Sequence, residues 1–496
     1  MSGSRSQVAP VNVVRSPTTL FPDPTRRLIR TYLPHEPAPT PSKPNRVQRV
    51  MERVLSLTAV ERMQTLEDVY SRFGNRVSDL EGILLEGFSM VELLMVEPRD
   101  LDDDDRRLIG SYFLHEYSVE GAALTNPSIV AHPDQQGLPP GAVRVVVSLR
   151  AVGEGHISSV EFRTGQIDRY GAVDIEDPRP LIHGKRETPL FDKTVFSAKL
   201  DELGAGAEAN AALASLEEQF TMEDLDSALA DLGSSSSSTA MEQRMIHMIH
   251  WLASSNYWVT FAADSHISQH ILTPNGPAES HGMEDARFVR FTDTDGASTY
   301  YSTYTAFDGF NILPQLIETA DFRTFRVATL NGTGAVNKGL ALFPRRVGGK
   351  YLALGRSDGE SNYLMWTDHV RSWNHAQRIQ MPARPWEIIQ IGNAGAPIET
   401  EAGWLLITHG VGPMRQYALG AVLLDINEPN RMIGHLREPL LVSEEDERDG
   451  YVPNVVYSCG SLLHDGNIVI AYGASDTFTR FASVSLDSLL GALSPP

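Results

Sequence analysis

Residues 282–287 read Gly-Met-Glu-Asp-Ala-Arg, and residues 300–309 read Tyr-Tyr-Ser-Thr-Tyr-Thr-Ala-Phe-Asp-Gly. The first stretch places two adjacent carboxylates beside an arginine at the start of a predicted strand. The second is an aromatic, hydroxyl-rich strand that ends in a turn. Carboxylates bind sugar hydroxyls and supply acid chemistry, and aromatic faces contact the sugar ring. Because adjacent strand residues point to opposite faces, we expect one of Glu284 and Asp285 to face a site and the other to brace the scaffold.

The region around these two stretches has a β pattern from Asn126 onward. Residues 144–149 form a continuous apolar run, whereas residues 158–163 alternate between polar and apolar, as strands do. Asp-Gly and Gly-Gly turns separate further short apolar runs. This spacing suits a sandwich, a barrel or a propeller, and periodicity alone does not choose among them.

Three other segments differ from the β pattern. Residues 1–44 are rich in Pro, Ser and Arg, which predicts a flexible extended arm. Residues 45–117 carry apolar positions at helical spacing and are predicted to form an α-helical extension. A helical insertion is predicted at about 207–253, with a serine linker at 234–238.

Composition bounds the function. The chain has 496 residues and a formal net charge of −21, which disfavours nucleic acid and anionic membranes as partners. A local basic cluster can still bind an anionic substrate. Cys459 is the single cysteine, so no intrachain disulfide can form. With no apolar signal core or run of membrane-spanning length, we expect a cytoplasmic location.

Several ordered motifs around residues 282–309 resemble glycoside hydrolase family 130, the inverting β-mannoside phosphorylases and mannosidases. Upstream, the matching segments are 126–128 and 149–150. Downstream they are 337–346 with 349–351, Arg356, 386–392, 403–410, 423–425, 452–456 and 472–476. The resemblance implies that residues 118–496 form an all-β five-bladed β-propeller with the active site on its axis. The helical extension and the insertion lie outside what it explains.

The chain departs from the family pattern at several points. Residues 343–346 read Phe-Pro-Arg-Arg where the family often has Phe-Pro-Glu-Lys, and 355–357 and 393–397 also differ. The linkage specificity of other members is therefore not carried over. Residues 176–179 read Glu-Asp-Pro-Arg, the family's commoner spelling of the site motif. No hydroxyl-rich aromatic strand follows them, so we assign them to a loop and residues 284–287 to the site.

The resemblance implies a catalytic role for Asp285 as general acid, with its proton passing through a sugar hydroxyl. Substrate binding is expected at these residues: Glu284, Arg287, Asn126, Tyr304, Asp308 and Asp476. A general acid that works near neutral pH needs a raised pKa. We expect the neighbouring charge of Glu284 to supply part of that rise.

Basic residues decide between the two chemistries of the family. Phosphorolysis must hold a phosphate dianion with Arg, Lys or His donors, whereas hydrolysis needs a carboxylate that positions water. The predicted phosphate-binding residues are Arg150, Lys338, Arg346, Arg356 and His409. We therefore predict inverting phosphorolysis of β-mannosides to α-mannose 1-phosphate. The alternatives are an inverting β-mannosidase, a β-mannosyltransferase of the same fold and a sugar-binding propeller without enzymatic activity.

The expected partners follow from that prediction. They are a β-mannoside oligosaccharide and inorganic phosphate as co-substrate, with no cofactor and no metal, since paired histidines such as His266 and His270 have no third ligand at metal-like spacing. The helical extension is a possible homo-oligomer contact. We expect the insertion to cap the acceptor side of the pocket and to restrict substrate length.

Overall fold

The computed structural model describes residues 11–34, 45–77, 79–95, 100–205, 209, 213–233 and 240–496. The predicted serine linker at 234–238 lies outside the described residues. The chain divides into two compact units: a smaller one, Pro24–Val119, and a larger one that combines Met1–Asp23 with Glu120–Pro496.

The N-terminal segment is not the flexible arm that its composition predicts, because two parts of it are strands: β1 (Val14–Leu20) and β2 (Arg27–Thr31). β1 pairs antiparallel with residues 478–485 near the end of the chain. Arg15 on β1 also forms an ion pair with Glu447, whose side chain is fully buried. Backbone pairing and the ion pair together fix β1 within the larger unit.

The smaller unit contains α1 (Arg46–Leu55), α2 (Ala59–Phe73), α3 (Leu80–Glu92), α4 (Asp103–Ser111) and the strand β3 (Leu114–Ser118). The side chains of Asn45, Thr58 and Asp102 accept hydrogen bonds from backbone N–H groups in the first turns of α1, α2 and α4, which stabilises the helix starts. The apolar stripes of the helices form one core. The segment predicted as helical also holds β3, which pairs antiparallel with β2.

The larger unit is built mainly from strands. Its first part contains, in chain order, β4 (Ala123–Ala131), β5 (Val143–Val152), β6 (Ser158–Ile167), β7 (Val173–Ile175), β8 (Lys185–Glu187), β9 (Phe191–Asp192), α5 (Lys193–Glu202), β10 (Gln219–Phe220), α6 (Met222–Gly233), α7 (Ala240–Ser254), β11 (Tyr257–Thr260), β12 (Ile271–Leu272), β13 (Gly282–Thr292), β14 (Ser298–Phe307), β15 (Ile312–Thr319) and β16 (Thr324–Thr329).

Its second part contains β17 (Ala341–Leu342), β18 (Tyr351–Gly355), β19 (Asn362–Thr367), β20 (His375–Gln380), β21 (Gln390–Asn393), β22 (Ile398–Thr400), β23 (Gly403–Val411), β24 (Tyr417–Leu424), β25 (Met432–His435), β26 (Val456–His464), β27 (Asn467–Ala474), β28 (Phe478–Ser485) and α8 (Leu486–Ala492).

Most of these strands form antiparallel meanders. β4, β5 and β6 pair in order, as do β13 to β16, and the two groups are joined where Gly282 meets Ser158 in a parallel bridge. β17 to β20 form a separate sheet, β21, β23, β24 and β25 another, and β26 to β28 are completed by β1. β4, β13, β17, β21 and β26 therefore each begin one meander.

Apolar clusters join each meander to the next, and both faces of the sheets are covered. The paired meanders, with representative buried residues, are β4–β6 with β13–β16 (Phe162, Phe288), β13–β15 with β17–β19 (Phe291, Met365), β18–β19 with β23–β24 (Leu354, Trp404), β23–β24 with β26–β28 (Ile407, Ile470), and β26–β28 with β4–β5 (Phe481, Val147). The last cluster links the final meander to the first.

The helical insertion is longer than the predicted 207–253, because α5 begins at Lys193. Its helices share a core that includes Phe196, Phe220 and Ile249. Lys199 Nζ donates to the carbonyl of Leu330 at 2.8 Å, so α5 holds the segment that follows β16. The described contacts do not test whether the insertion limits substrate length. No described helix has the length and apolar character needed to cross a membrane.

The N-terminal strand generates a stability prediction. Arg15→Ala removes two N–H donors from the buried carboxylate of Glu447, each at 3.2 Å, and we expect it to lower the free energy of unfolding by about 1–3 kcal/mol. Urea unfolding measures the change.

Lys350→Ala is the matched control, because its ion pair with Asp368 is solvent-exposed. We expect a change within about 0.5 kcal/mol for this variant. If Arg15→Ala were as stable as the wild type, β1 would not contribute to the fold as described.

Candidate active site

A β-bulge at the start of β13 places two carboxylates in one cluster. Glu284 pairs with Thr305 and Arg287 with Thr303, so β13 has one extra residue there. Asp285 takes up the bulge in the left-handed region, at φ 57°. The regular strand alternation predicts that Glu284 and Asp285 point apart; that prediction is wrong, because a bulge re-aims the side chains of the bulged strand.

Glu284 lies between two cations, one on a strand and one in the loop between β16 and β17. Arg150 Nη2 on β5 donates to Glu284 Oε1 at 2.8 Å, and Lys338 Nζ donates to Glu284 Oε2 at 2.6 Å. The Glu284 side chain is only 12% exposed. Two of the five predicted phosphate-binding residues are therefore held at the site by a shared carboxylate.

Asp285 is held by residues from the first and last meanders. Asn126 Nδ2 donates to Asp285 Oδ1, and the Tyr457 hydroxyl lies 3.4 Å from Asp285 Oδ2. Arg287 donates to the Asp285 carbonyl at 2.9 Å and to the Tyr457 hydroxyl at 2.7 Å. β4 and β26 also have register shifts beside Asn126 and Tyr457. Irregularities in three strands thus direct three side chains to the same place.

The pKa of Asp285 is lower than its ordinary value. Burial alone would raise this pKa, but the charges of Arg287, Arg150 and Lys338 and the hydrogen bond from Asn126 outweigh burial. The expectation of a pKa raised by Glu284 is wrong for this state of the site, since Arg150 and Lys338 pair with the Glu284 carboxylate. Asp285 is consequently ionised here at neutral pH.

Asp476 is a third carboxylate of the cluster, and its pKa is raised where that of Asp285 is lowered. Burial raises its pKa, and the charges of Asp285 and Glu284 add to the rise, while Arg150 and a hydrogen bond from Thr125 oppose it. These interactions place Asp476 close to Asp285, and its role in substrate binding stays a prediction. The two aspartates therefore differ in acidity although they share one cluster.

Arg356 and His409 join the cluster through Tyr457, whose ring centroid lies 4.9 Å from that of His409. His409 Nδ1 lies 2.9 Å from the carbonyl of Asn393, and Arg356 Nη1 lies 3.5 Å from His409 Nε2. Burial, Arg356 and Arg287 lower the pKa of His409 to about 3. His409 is thus neutral at pH 7, with a proton on Nδ1, and accepts from Arg356. This geometry makes His409 a positioning residue for Arg356 rather than the predicted phosphate donor.

Two guanidinium groups at the site have unused donors. Within the described part of the chain, Nε of Arg150 and Nε of Arg356 are buried without a hydrogen-bond partner. A buried, unsatisfied charged donor is costly. A separate small pocket at the Asp285 side of the cluster is lined by Asp285, Arg287 and Asn337, among others. The unused donors fit an anionic ligand.

Two predicted site residues have other roles. Arg346 donates to Asp293 at 3.0 Å, beyond the far end of β13 from Asp285, so its assignment to phosphate binding is wrong. Tyr304 borders the small pocket, but its side chain is buried and its hydroxyl donates to buried Glu279, so this hydroxyl has only its acceptor lone pairs left for another partner. Tyr304 is a core residue of β14.

Other predictions have mixed outcomes. Asp308 accepts from the backbone N–H groups of Phe310 and Asn311, so it caps a turn, and its role in substrate binding stays a prediction. Residues 176–179 lie in a loop, as predicted. In the part of the chain that the structure describes, no three His, Cys, Asp or Glu side chains are grouped so that they could hold a metal ion.

The sequence analysis missed Tyr457 and Asn393. Asn393 Oδ1 accepts from Arg287 Nε at 3.2 Å, and Asn393 Nδ2 donates to the carbonyl of Gly339 at 2.6 Å. Both residues lie next to segments of the ordered motif series, 452–456 and 386–392. Their position beside those segments was the available signal.

Comparison with known proteins gives the family. A model of glycoside hydrolase family 130, described as beta-1,4-mannooligosaccharide phosphorylase, matches residues 242–494. A 1,2-beta-oligomannan phosphorylase from Thermoanaerobacter sp. is 34% identical over 42% of this chain and 71% of its own length. A beta-1,2-mannobiose phosphorylase from Listeria innocua is 29% identical over 45% of this chain and 63% of its own length.

The solved beta-1,2-mannobiose phosphorylase from Listeria innocua covers 76% of this chain and 92% of its own, with 20% identity and a TM-score of 0.43. The chain belongs to glycoside hydrolase family 130, because the family match spans half of it. The resemblance seen in the sequence is thereby confirmed. Asn126 and Arg150 lie upstream of the matched residues.

The charge of Asp285 generates a pH prediction. A pKa held below the ordinary 3.8 means that the ionised carboxylate stabilises the folded protein at pH values above 3.8, and that this contribution is lost as pH falls through the lowered pKa. We expect Asp285→Asn to be about 1–3 kcal/mol less stable than wild type at pH 7.

The difference in the free energy of unfolding between wild type and Asp285→Asn should become smaller as the pH drops below 3.8. Urea unfolding across a pH series measures this difference. Asp177→Asn, at an exposed position, should stay within about 0.5 kcal/mol of wild type at each pH. If this difference in the free energy of unfolding grew in acid, Asp285 would not be ionised in the folded protein as described.

Proposed function

We propose that the protein catalyses the inverting phosphorolysis of β-mannosides, with inorganic phosphate as co-substrate and α-mannose 1-phosphate as product. The observation that carries this proposal is the convergence of Arg150, Lys338 and Arg356 around Asp285. Family membership and the names of the relatives support the same reaction. No cofactor is needed for it.

The cationic side of the cluster suits a phosphate dianion. Arg150 and Arg356 each have an unused Nε donor, and charge-assisted bonds to phosphate are among the strongest hydrogen bonds in proteins. Lys338 adds a point charge beside them. A bound dianion would satisfy these donors and offset the charges that lower the pKa of Asp285.

A general acid requires such a rise in the pKa of Asp285, because it must carry a proton before it can donate one. Without phosphate, Arg150 and Lys338 favour the ionised carboxylate of Asp285. A dianion next to them favours the protonated form, because like charges raise the pKa of a carboxyl group. We infer that phosphate binding both supplies the nucleophile and prepares the acid.

In the proposed reaction a phosphate oxygen attacks the anomeric carbon from the face opposite the leaving group. The bond from that carbon to the glycosidic oxygen breaks, and Asp285 supplies the proton that this oxygen takes up, through a sugar hydroxyl. Asn126 and Tyr457 contact the two carboxylate oxygens of Asp285 and hold the acid in one orientation.

We also propose that the five meanders form a closed five-bladed β-propeller. Five apolar clusters join them in a cycle, and the cluster between β26–β28 and β4–β5 joins the last meander to the first. β1 completes the sheet of β26 to β28. The strands β4, β13 and β26, which carry the site, are then inner strands of their blades.

A hydrolase is the second candidate, and Asp476 is the observation that favours it. Its carboxylate lies near Asp285 and Arg150, where it could position a water as a general base does in inverting hydrolysis. The cytoplasmic location and a homo-oligomer formed through the helical extension remain predictions. The products formed with and without phosphate separate the two reactions.

Incubation with β-mannobiose and phosphate should give α-mannose 1-phosphate, identified by phosphorus and proton NMR. Asp285→Asn retains the shape of the side chain but removes its acid, so we expect the rate to fall about 10²- to 10⁴-fold. Asp177→Asn, in the loop at 176–179, should keep the wild-type rate. Release of free mannose at full rate without phosphate would replace the phosphorylase proposal with the hydrolase.

Phosphate affinity gives a further prediction. Arg356→Ala removes one charge-assisted contact worth about 1.5–3 kcal/mol, so the KM for phosphate should rise roughly 10- to 150-fold. Arg346→Ala removes an equal charge paired with Asp293 away from the site and should leave this KM unchanged. If both variants behaved alike, Arg356 would have no special role in phosphate binding.

A further inference from the structure

Two exposed rings from different loops are stacked on each other. His156 and Tyr451 have ring centroids 5.3 Å apart and planes inclined by 27°. Tyr451 remains 61% exposed, and His156 is exposed as well. The pair contributes to none of the apolar clusters of the core, so packing does not account for it.

The His156 side of the pair is tied to the catalytic strand. His156 lies in the turn between β5 and β6, at φ 59°. Two residues later, Ser158 Oγ donates to the carbonyl of Met283 at 2.9 Å. Met283 immediately precedes Glu284, so the turn is anchored beside the carboxylates of β13.

The Tyr451 side is tied to the third carboxylate. The Tyr451 N–H donates to Thr477 Oγ1 at 2.8 Å, and the Val452 N–H donates to the Ser475 carbonyl at 2.9 Å. Asp476 lies between those two partners. A side chain at Gly450 would collide with Thr477 and Ser475, so glycine permits this close approach. The ring pair therefore spans the loops that flank Asp476 and Glu284.

The tight turn between β5 and β6 sets the conformation of His156. Gly155 and His156 both have positive φ there, at 71° and 59°, and the Gly153 N–H donates to the Ile157 carbonyl to close the turn. The turn presents the His156 imidazole to Tyr451. The result is a flat aromatic surface on two loops that flank the site.

We propose that His156 and Tyr451 form an outer sugar-binding platform, on which a mannosyl unit beyond the scissile linkage stacks. This inference rests on the proposed function and deepens it, since it assigns longer β-mannooligosaccharides as the preferred substrate class. A pyranose ring presents C–H groups on its faces, and these pack on an aromatic ring as other apolar groups do. On this proposal a disaccharide occupies only the positions next to Asp285, and a longer chain reaches the platform.

The test compares chain lengths in Tyr451→Ala. With phosphate present, kcat/KM for β-mannotetraose, in both the 1,2 and 1,4 linkages, should fall roughly 3- to 30-fold for the linkage that the enzyme accepts. The change should appear in KM, and the value for β-mannobiose should stay within about twofold of wild type. Tyr451→Phe retains the ring, so its ratio of kcat/KM for β-mannotetraose to kcat/KM for β-mannobiose should equal that of the wild type.

The matched control is Tyr170→Ala. Tyr170 is 77% exposed in the turn after β6, at the end of that strand away from His156. Tyr170→Ala should leave kcat/KM unchanged for both β-mannobiose and β-mannotetraose. Calorimetric binding of β-mannotetraose to wild type and Tyr451→Ala without phosphate gives a readout that does not depend on turnover.

The outcomes separate the platform from the reaction. Phosphorolysis with equal losses for both substrates, or with no loss for the tetraose, overturns the platform and leaves the proposed function intact. No phosphorolysis, but tetraose binding that Tyr451→Ala weakens, overturns the function and retains the platform. If there is no phosphorolysis and Tyr451→Ala does not change tetraose binding, both the function and the platform are overturned.

Discussion

The site depends on one carboxylate that is shared by two cations. Glu284 accepts from Arg150 on one side and from Lys338 on the other; Arg150 lies on β5 and Lys338 in the loop between β16 and β17. Without Glu284 the two positive charges would repel each other or pair with Asp285. Since Glu284 holds both, Asp285 remains available for acid chemistry and the spare donor of Arg150 remains directed toward an anion.

The bulge of β13 gives Glu284 and Asp285 that arrangement. A regular strand would send one of the two carboxylates into the core, where its charge would be costly. The extra residue at Asp285 turns both to the same cluster, while Asn126 and Tyr457, beside the register shifts of β4 and β26, fix the acid. The function therefore depends on three local departures from regular strand geometry.

Much of this was predictable from the sequence. The turn residues and short apolar runs indicated a sandwich, barrel or propeller of short strands. The motif order led to the correct family and to Asp285, Glu284, Arg150 and Lys338, which the structure brings together. The bulge was not predictable, because alternation in a strand assumes no inserted residue. Tyr304 was assigned to the site although Tyr300, four residues before it, and Ala306, two residues after it, follow the same alternation into the core. Arg346 was misplaced because an ion pair with Asp293 cannot be read from sequence spacing.

The decisive measurement is a crystal structure of the protein with phosphate and mannose bound. We expect a phosphate ion in contact with Arg150, Lys338 and Arg356, beside the anomeric carbon of a mannose whose hydroxyl contacts Asp285. A site that binds mannose but holds a water against Asp476 in place of phosphate would show that these cations do not bind the nucleophile, as would a phosphate bound at Arg346.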